Sequence, residues 1–129
     1  MNSPIQIDIK YDGGTEKIYC EKISDTIYKC LASGIFIDFI NYGCEIEVEE
    51  KNGELVFLSL YKESPYKVFR YIWSREIVES TECAKMKDEI INIGGYWESA
   101  MGGLFIMHLP VKKEIELDRL FKILKGEVE

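Results

Sequence analysis

The stretch GCEIEVEEKNGELVF, residues 43–57, restricts the possible folds of this chain more than any other. In an extended strand successive side chains leave opposite faces. Cys44, Ile46 and Val48 therefore share one face, and Glu45, Glu47 and Glu49 share the other. Asn52-Gly53 supplies residues that accept the positive φ of a tight hairpin turn, so the chain reverses there and returns as ELVFLSLYK, residues 54–62. Apolar residues occur at both parities of that return strand, which predicts a central strand covered on both sides.

The flanking segments extend the same pattern. IQIDIKY (5–11) and KIYCEKI (17–23) alternate across Asp12-Gly13-Gly14 and read as a second hairpin. TIYKCLA (26–32) is a further strand, and GIFIDFI (34–40) is a buried strand or a bend. Ser64-Pro65 interrupts the chain before YKVFRYIW (66–73), another strand. The period then changes. In STECAKMKDEIINIGG (80–95), Cys83, Met86, Ile90 and Ile93 recur at helical spacing between a Ser80 or Thr81 cap and a Gly94-Gly95 stop. YWES (96–99) and LFIMHLP (104–110) form a hairpin about Met101-Gly102-Gly103. EIELDRLFKILKG (114–126) is a last amphipathic helix with Leu117, Leu120, Phe121 and Leu124 inward. The expectation is an α+β fold: a mainly antiparallel sheet of about six to eight strands with two helices in the C-terminal half.

At 129 residues and 47% hydrophobic composition, the chain suffices for one domain, residues 1–129, with its own core. Acidic residues outnumber basic ones 23 to 16, a net charge of −7 that repels phosphate backbones and argues against nucleic acid as a partner. No membrane span and no secretory signal is legible, and the four cysteines include no CxxC pair. A cytoplasmic protein with reduced, buried thiols and neither metal nor cofactor is expected.

No catalytic motif stands out. The glycine pairs lack the Lys-Ser/Thr of a phosphate loop, and there is no HExxH or GxSxG. His108, the one histidine, lies within an apolar strand, where a structural role is the simpler reading; with Tyr96 and Glu98 it makes the one plausible polar cluster. The aromatics Tyr61, Tyr66, Phe69, Tyr71 and Trp73 lack the positive groove of a base-stacking platform and read as packing residues. The glutamates therefore carry the functional question. They either guard an edge strand against aggregation or form an acidic docking surface.

GIFIDFINYGCEIEVEEKNGELVF resembles a segment of a bacterial family catalogued as domain of unknown function 4265, with counterpart residues Ile35, Phe36, Gly43, Ile46, Val48, Gly53, Leu55 and Phe57. INIGGYWESAMGGLFIMHLP is similar to that family's helix end, Gly-x-x-Glu strand and final Pro-closed strand, so the resemblance spans roughly residues 15–126. Ile35 replaces the family's usual proline and Cys44 its aspartate. The resemblance implies a fold and no activity. In size, acidity and want of catalytic machinery, the chain is also similar in kind to immunity proteins of contact-dependent toxin systems.

The leading expectation is a non-enzymatic immunity protein that neutralises a basic partner, a cognate nuclease toxin. Glu45, Glu47, Glu49, Glu50 and Glu54 would supply the acidic surface, with Tyr61 and Trp73 as aromatic anchors. The alternative is a small enzyme or ligand-binding regulator with a helix-sheet pocket at His108, Tyr96 and Glu98.

Overall fold

The computed structural model describes residues 3–127. The chain divides into two compact units, Met1–Pro65 and Tyr66–Glu129, on either side of the boundary after Pro65.

In the first unit, β1 (Ile5–Tyr11), β2 (Gly14–Lys22), β3 (Ile27–Cys30), β4 (Glu45–Lys51) and β5 (Glu54–Lys62) form a closed barrel in chain order. Successive strands pair antiparallel, and β5 closes onto β1 in parallel through the Asp8–Val56 pair. Alternation sends Ile7, Ile9, Ile18, Cys20, Tyr28, Cys30, Ile46 and Val48 into one buried core. The segment 34–40 is neither strand nor helix but a bend that buries Ile37 and Ile40 in that core. Its geometry is held from outside: the Glu16 carboxylate accepts hydrogen bonds from the Ile35 and Phe36 amides at 2.6 and 3.0 Å. Phe36 stacks on Tyr11, and Phe39 packs against Phe57.

The second unit is built from β6 (Tyr66–Ile72), α1 (Arg75–Val78), α2 (Thr81–Asn92), β7 (Tyr96–Ala100), β8 (Leu104–Pro110), a 3-10 turn (Val111–Glu116) and α3 (Leu117–Leu124). Its antiparallel sheet runs β6-β8-β7. Phe105, Met107 and Leu109 from β8 share a core with Cys83, Met86 and Ile90 of α2 and with Leu120 and Ile123 of α3. Ser80 is the cap of α2, its hydroxyl accepting from the Cys83 amide at 3.1 Å. At the other end Gly94 has φ +89°, and a Cβ on Gly95 would lie 2.5 Å from the His108 carbonyl oxygen, so both glycines are required where the helix stops against β8.

The α+β class is as expected, with the helices in the C-terminal half. The single sheet of about six to eight strands is not formed: five strands close into a barrel and three make a second sheet. Two physical causes account for this. Strand twist, sharpened by bulges in β5, curls a short-stranded sheet until its ends meet. The break at Ser64-Pro65 then starts β6 in a new sheet, in which β8 lies between β6 and β7.

Candidate functional site: the outer face of the β4–β5 hairpin

The hairpin forms where the turn chemistry puts it. Asn52 and Gly53 have φ of +53° and +80°, and Lys51 faces Glu54 across the turn. On β4, Ile46 and Val48 point into the barrel, and Glu45, Glu47 and Glu49 lie on its outer face. Glu50 shares the parity of Ile46 and Val48 but sits past the end of the core and is exposed. The acidic face is therefore Glu45, Glu47 and Glu49, with Glu50 on the other side of the ribbon.

Its electrostatics are set by neighbouring strands. Glu45 is flanked laterally by Lys29 of β3 and Lys62 of β5. The Glu49 carboxylate is 3.1 Å from the Lys51 ammonium. Glu47, between Ile27 and Ser59, has no cation across either strand. Cations thus moderate both ends of the row, and Glu47 is its electronegative centre. Glu54 faces Lys51 across the turn, on the same outer parity as the row, and also lines a groove of about 510 Å³ over the β1–β5 seam with Asp8, Lys10, Lys17 and Val56. There Asp8 holds the Lys17 ammonium at 2.9 Å, and with Glu54 raises the Lys17 pKa above its ordinary value, Asp8 being the larger influence. Both signs of charge line this groove.

The expectation that β5 is a central strand covered on both sides fails. No residue of β5 is fully buried, and Leu58 and Tyr61 are 48% and 61% exposed. The register slips twice, between Glu45 and Ile46 and between Glu47 and Val48, so that β5 accommodates an extra residue at each place. Leu55, Phe57 and Leu60 pack against the core, and the phase change between Phe57 and Leu60 is the bulge. Apolar residues at both parities signalled this slip rather than two-sided burial. The residues at the two slips, Leu58 and Tyr61, stand exposed on β5 next to the glutamate row of β4.

Trp73 belongs to the second unit, stacked on Tyr71 and Phe105 with ring centroids 5.0 and 5.1 Å away and edge-on to Phe121. Packing accounts for its position, and burial in the same group pushes the Tyr71 hydroxyl pKa up.

The residues of the alternative site do come together. His108 and Tyr96 are register partners on β8 and β7, and His108 Nε2 lies 2.7 Å from Glu98 Oε1. His108 is fully buried, on the sheet face opposite the one that α2 and α3 cover. The Tyr66 and Tyr96 rings flank the imidazole at 6.0 and 5.7 Å. Among the described residues no group of three or more His, Cys, Asp or Glu side chains is placed to hold a metal ion. Among those residues, too, no helix is long and apolar enough to cross a membrane.

No protein-family model matches the chain. No curated protein sequence matches it either. Among solved structures the chain is similar to the crystal structure of a hypothetical protein from Neisseria gonorrhoeae, with a TM-score of 0.62 and 14% sequence identity over 98% of this chain and 83% of that one. At that identity the likeness is one of fold.

Proposed function

We propose that this protein is a binding module that neutralises a basic protein partner, as an immunity protein does its cognate toxin, and that the partner docks on the outer face of β4 and β5. One observation carries the reading: the Glu45–Glu47–Glu49 row lies beside the exposed apolar side chains Leu58 and Tyr61. The barrel pairs β4 on both sides, so it has no edge to guard, and a merely solvated strand face needs charge alone. An interface needs charge for encounter and desolvated, preferably aromatic, area for residence. This face has both. Carboxylates repeating at roughly 7 Å along a strand can stand in for phosphates in the basic cleft of a nuclease. The net charge of −7 acts in the same direction at longer range.

Protection is the test. Cells producing the protein encoded by each neighbouring gene are grown with and without this chain. Rescue of growth by one toxic neighbour, together with a stable complex, is the expected result. A set of neighbours among which none is toxic, bound or neutralised would overturn the reading.

The contact between His108 and Glu98 favours a second reading, a small ligand-binding regulator or enzyme in which Glu98 orients the imidazole. Two variants separate the readings. His108→Ala, if folded, should leave protection intact, whereas Glu45→Lys/Glu47→Lys/Glu49→Lys should abolish it. The reverse pattern would move the site to β8.

A further inference from the structure

Three of the four cysteines, none of them in a disulfide, meet in the barrel core. Cys20 on β2 and Cys30 on β3 are register partners, with sulfurs 3.9 Å apart. The neighbouring pair, Tyr19 and Leu31, is hydrogen-bonded through the Leu31 amide and Tyr19 carbonyl. The Cys30 amide and carbonyl turn the other way, to Cys44 and Gly43. Cys20 and Cys30 are therefore a non-hydrogen-bonded antiparallel pair, the type whose side chains approach most closely, at a Cα separation of roughly 4.5 Å. That separation lies within the range a disulfide spans. Cys44 also contacts Cys30, but across the hydrogen-bonded side, where paired residues stand further apart.

We propose that Cys20 and Cys30 form a built-in disulfide site, closed across β2 and β3 by a hydroperoxide oxidant. A first thiol is oxidised by hydrogen peroxide to a sulfenic acid with release of one water. The second thiol's sulfur attacks that sulfur, forming the S–S bond and expelling the oxygen as a second water. Two thiols thus lose two hydrogens and two electrons, and the peroxide is reduced to water. The bond would staple the strands that frame the barrel core without changing their register. Hydrogen bonds to Cys20 and Cys44, reinforced by burial, hold the Cys30 thiol protonated well above its ordinary range, so closure awaits a local opening that admits the oxidant.

The test uses the whole folded chain. It is treated with hydrogen peroxide, denatured with an alkylating agent, digested with trypsin and analysed by mass spectrometry. Cys20 falls in the peptide 18–22, Cys30 and Cys44 together in 30–51, and Cys83 in 76–85. The expected product joins 18–22 to 30–51 with the loss of two hydrogens, fragments to place the link on Cys30, and leaves Cys44 and Cys83 alkylated. Met101, 74% exposed, oxidises in parallel and reports that the oxidant was present. Cys44→Ser should keep the link. Oxidised Met101 with Cys20 and Cys30 still alkylated, or over-oxidised without a link, would overturn the proposal, as would a bond within 30–51 or one involving Cys83.

Discussion

Gly53 shows how a single residue decides where the barrel hairpin turns. Its φ of +80° is one that side chains rarely adopt, yet nothing lies within 4 Å of where a Cβ would stand. The cost of Gly53→Val is therefore purely one of backbone conformation, about 1 kcal/mol or more, and should appear as a lower urea midpoint at unchanged slope. An unchanged midpoint would mean that the turn is not held at positive φ. Glu16 is the complementary case, a residue with no sequence signal at all. Its carboxylate takes the amides of Ile35 and Phe36, nineteen and twenty positions away. Glu16→Ala should cost about 1 kcal/mol and speed amide exchange in the 34–40 bend before the strands are affected. Gly53 was legible because turn chemistry is local. Glu16 was not, because its role depends on which loop the fold brings to it.

At the scale of elements, the readings that held were the strongly periodic ones. Cys83, Met86 and Ile90 on α2 and Leu120 on α3 are buried as their spacing predicts. Helix α1, a single turn capped by Ser74, is too short to carry a period and went unseen. The misreading of β5 came from treating its apolar pattern as one phase when two bulges give it three. Between α2 and α3 the structure adds a link that periodicity does not reveal. The Arg119 guanidinium bonds the Glu89 carboxylate and holds its pKa below the ordinary carboxylate value. Because the folded pKa is the lower one, the pair's stabilisation is present above the unfolded pKa, near 4.3, and is lost as pH falls through the folded value. For so exposed a pair it is at most about 1 kcal/mol. Glu89→Gln should thus lower stability slightly at pH 7 and converge with wild type in acid; a deficit that persists at low pH would assign the effect to packing instead.

For the molecule as a whole, the acidic face was legible residue by residue, but its composition was not. Alternation placed Glu45, Glu47 and Glu49 together, and the same alternation, carried one residue further, removes Glu50 from them. Glu54 lies at the turn end of the same outer face, beside the seam groove, and Trp73 is in an aromatic stack of the second unit. The proposed docking face has Glu47 at its centre, with Leu58 and Tyr61 alongside. Ile46, directly behind that row, separates docking from folding: Ile46→Ala should cost about 2–5 kcal/mol through the cavity it leaves, and should leave the association rate of the folded fraction unchanged.

The most direct test of the docking face is the association rate with the partner found by the protection assay, measured for wild type and Glu47→Lys at two salt concentrations. Charges at a partly exposed interface are screened over about 8–10 Å at physiological ionic strength, and steering acts on encounter rather than on escape. Raising salt should slow wild-type association far more than it speeds dissociation, and Glu47→Lys should associate slowly at low salt with a flatter salt dependence. Equal rates and equal salt slopes for the two proteins would contradict the docking account and leave the glutamates as the solvated outer face of a barrel strand.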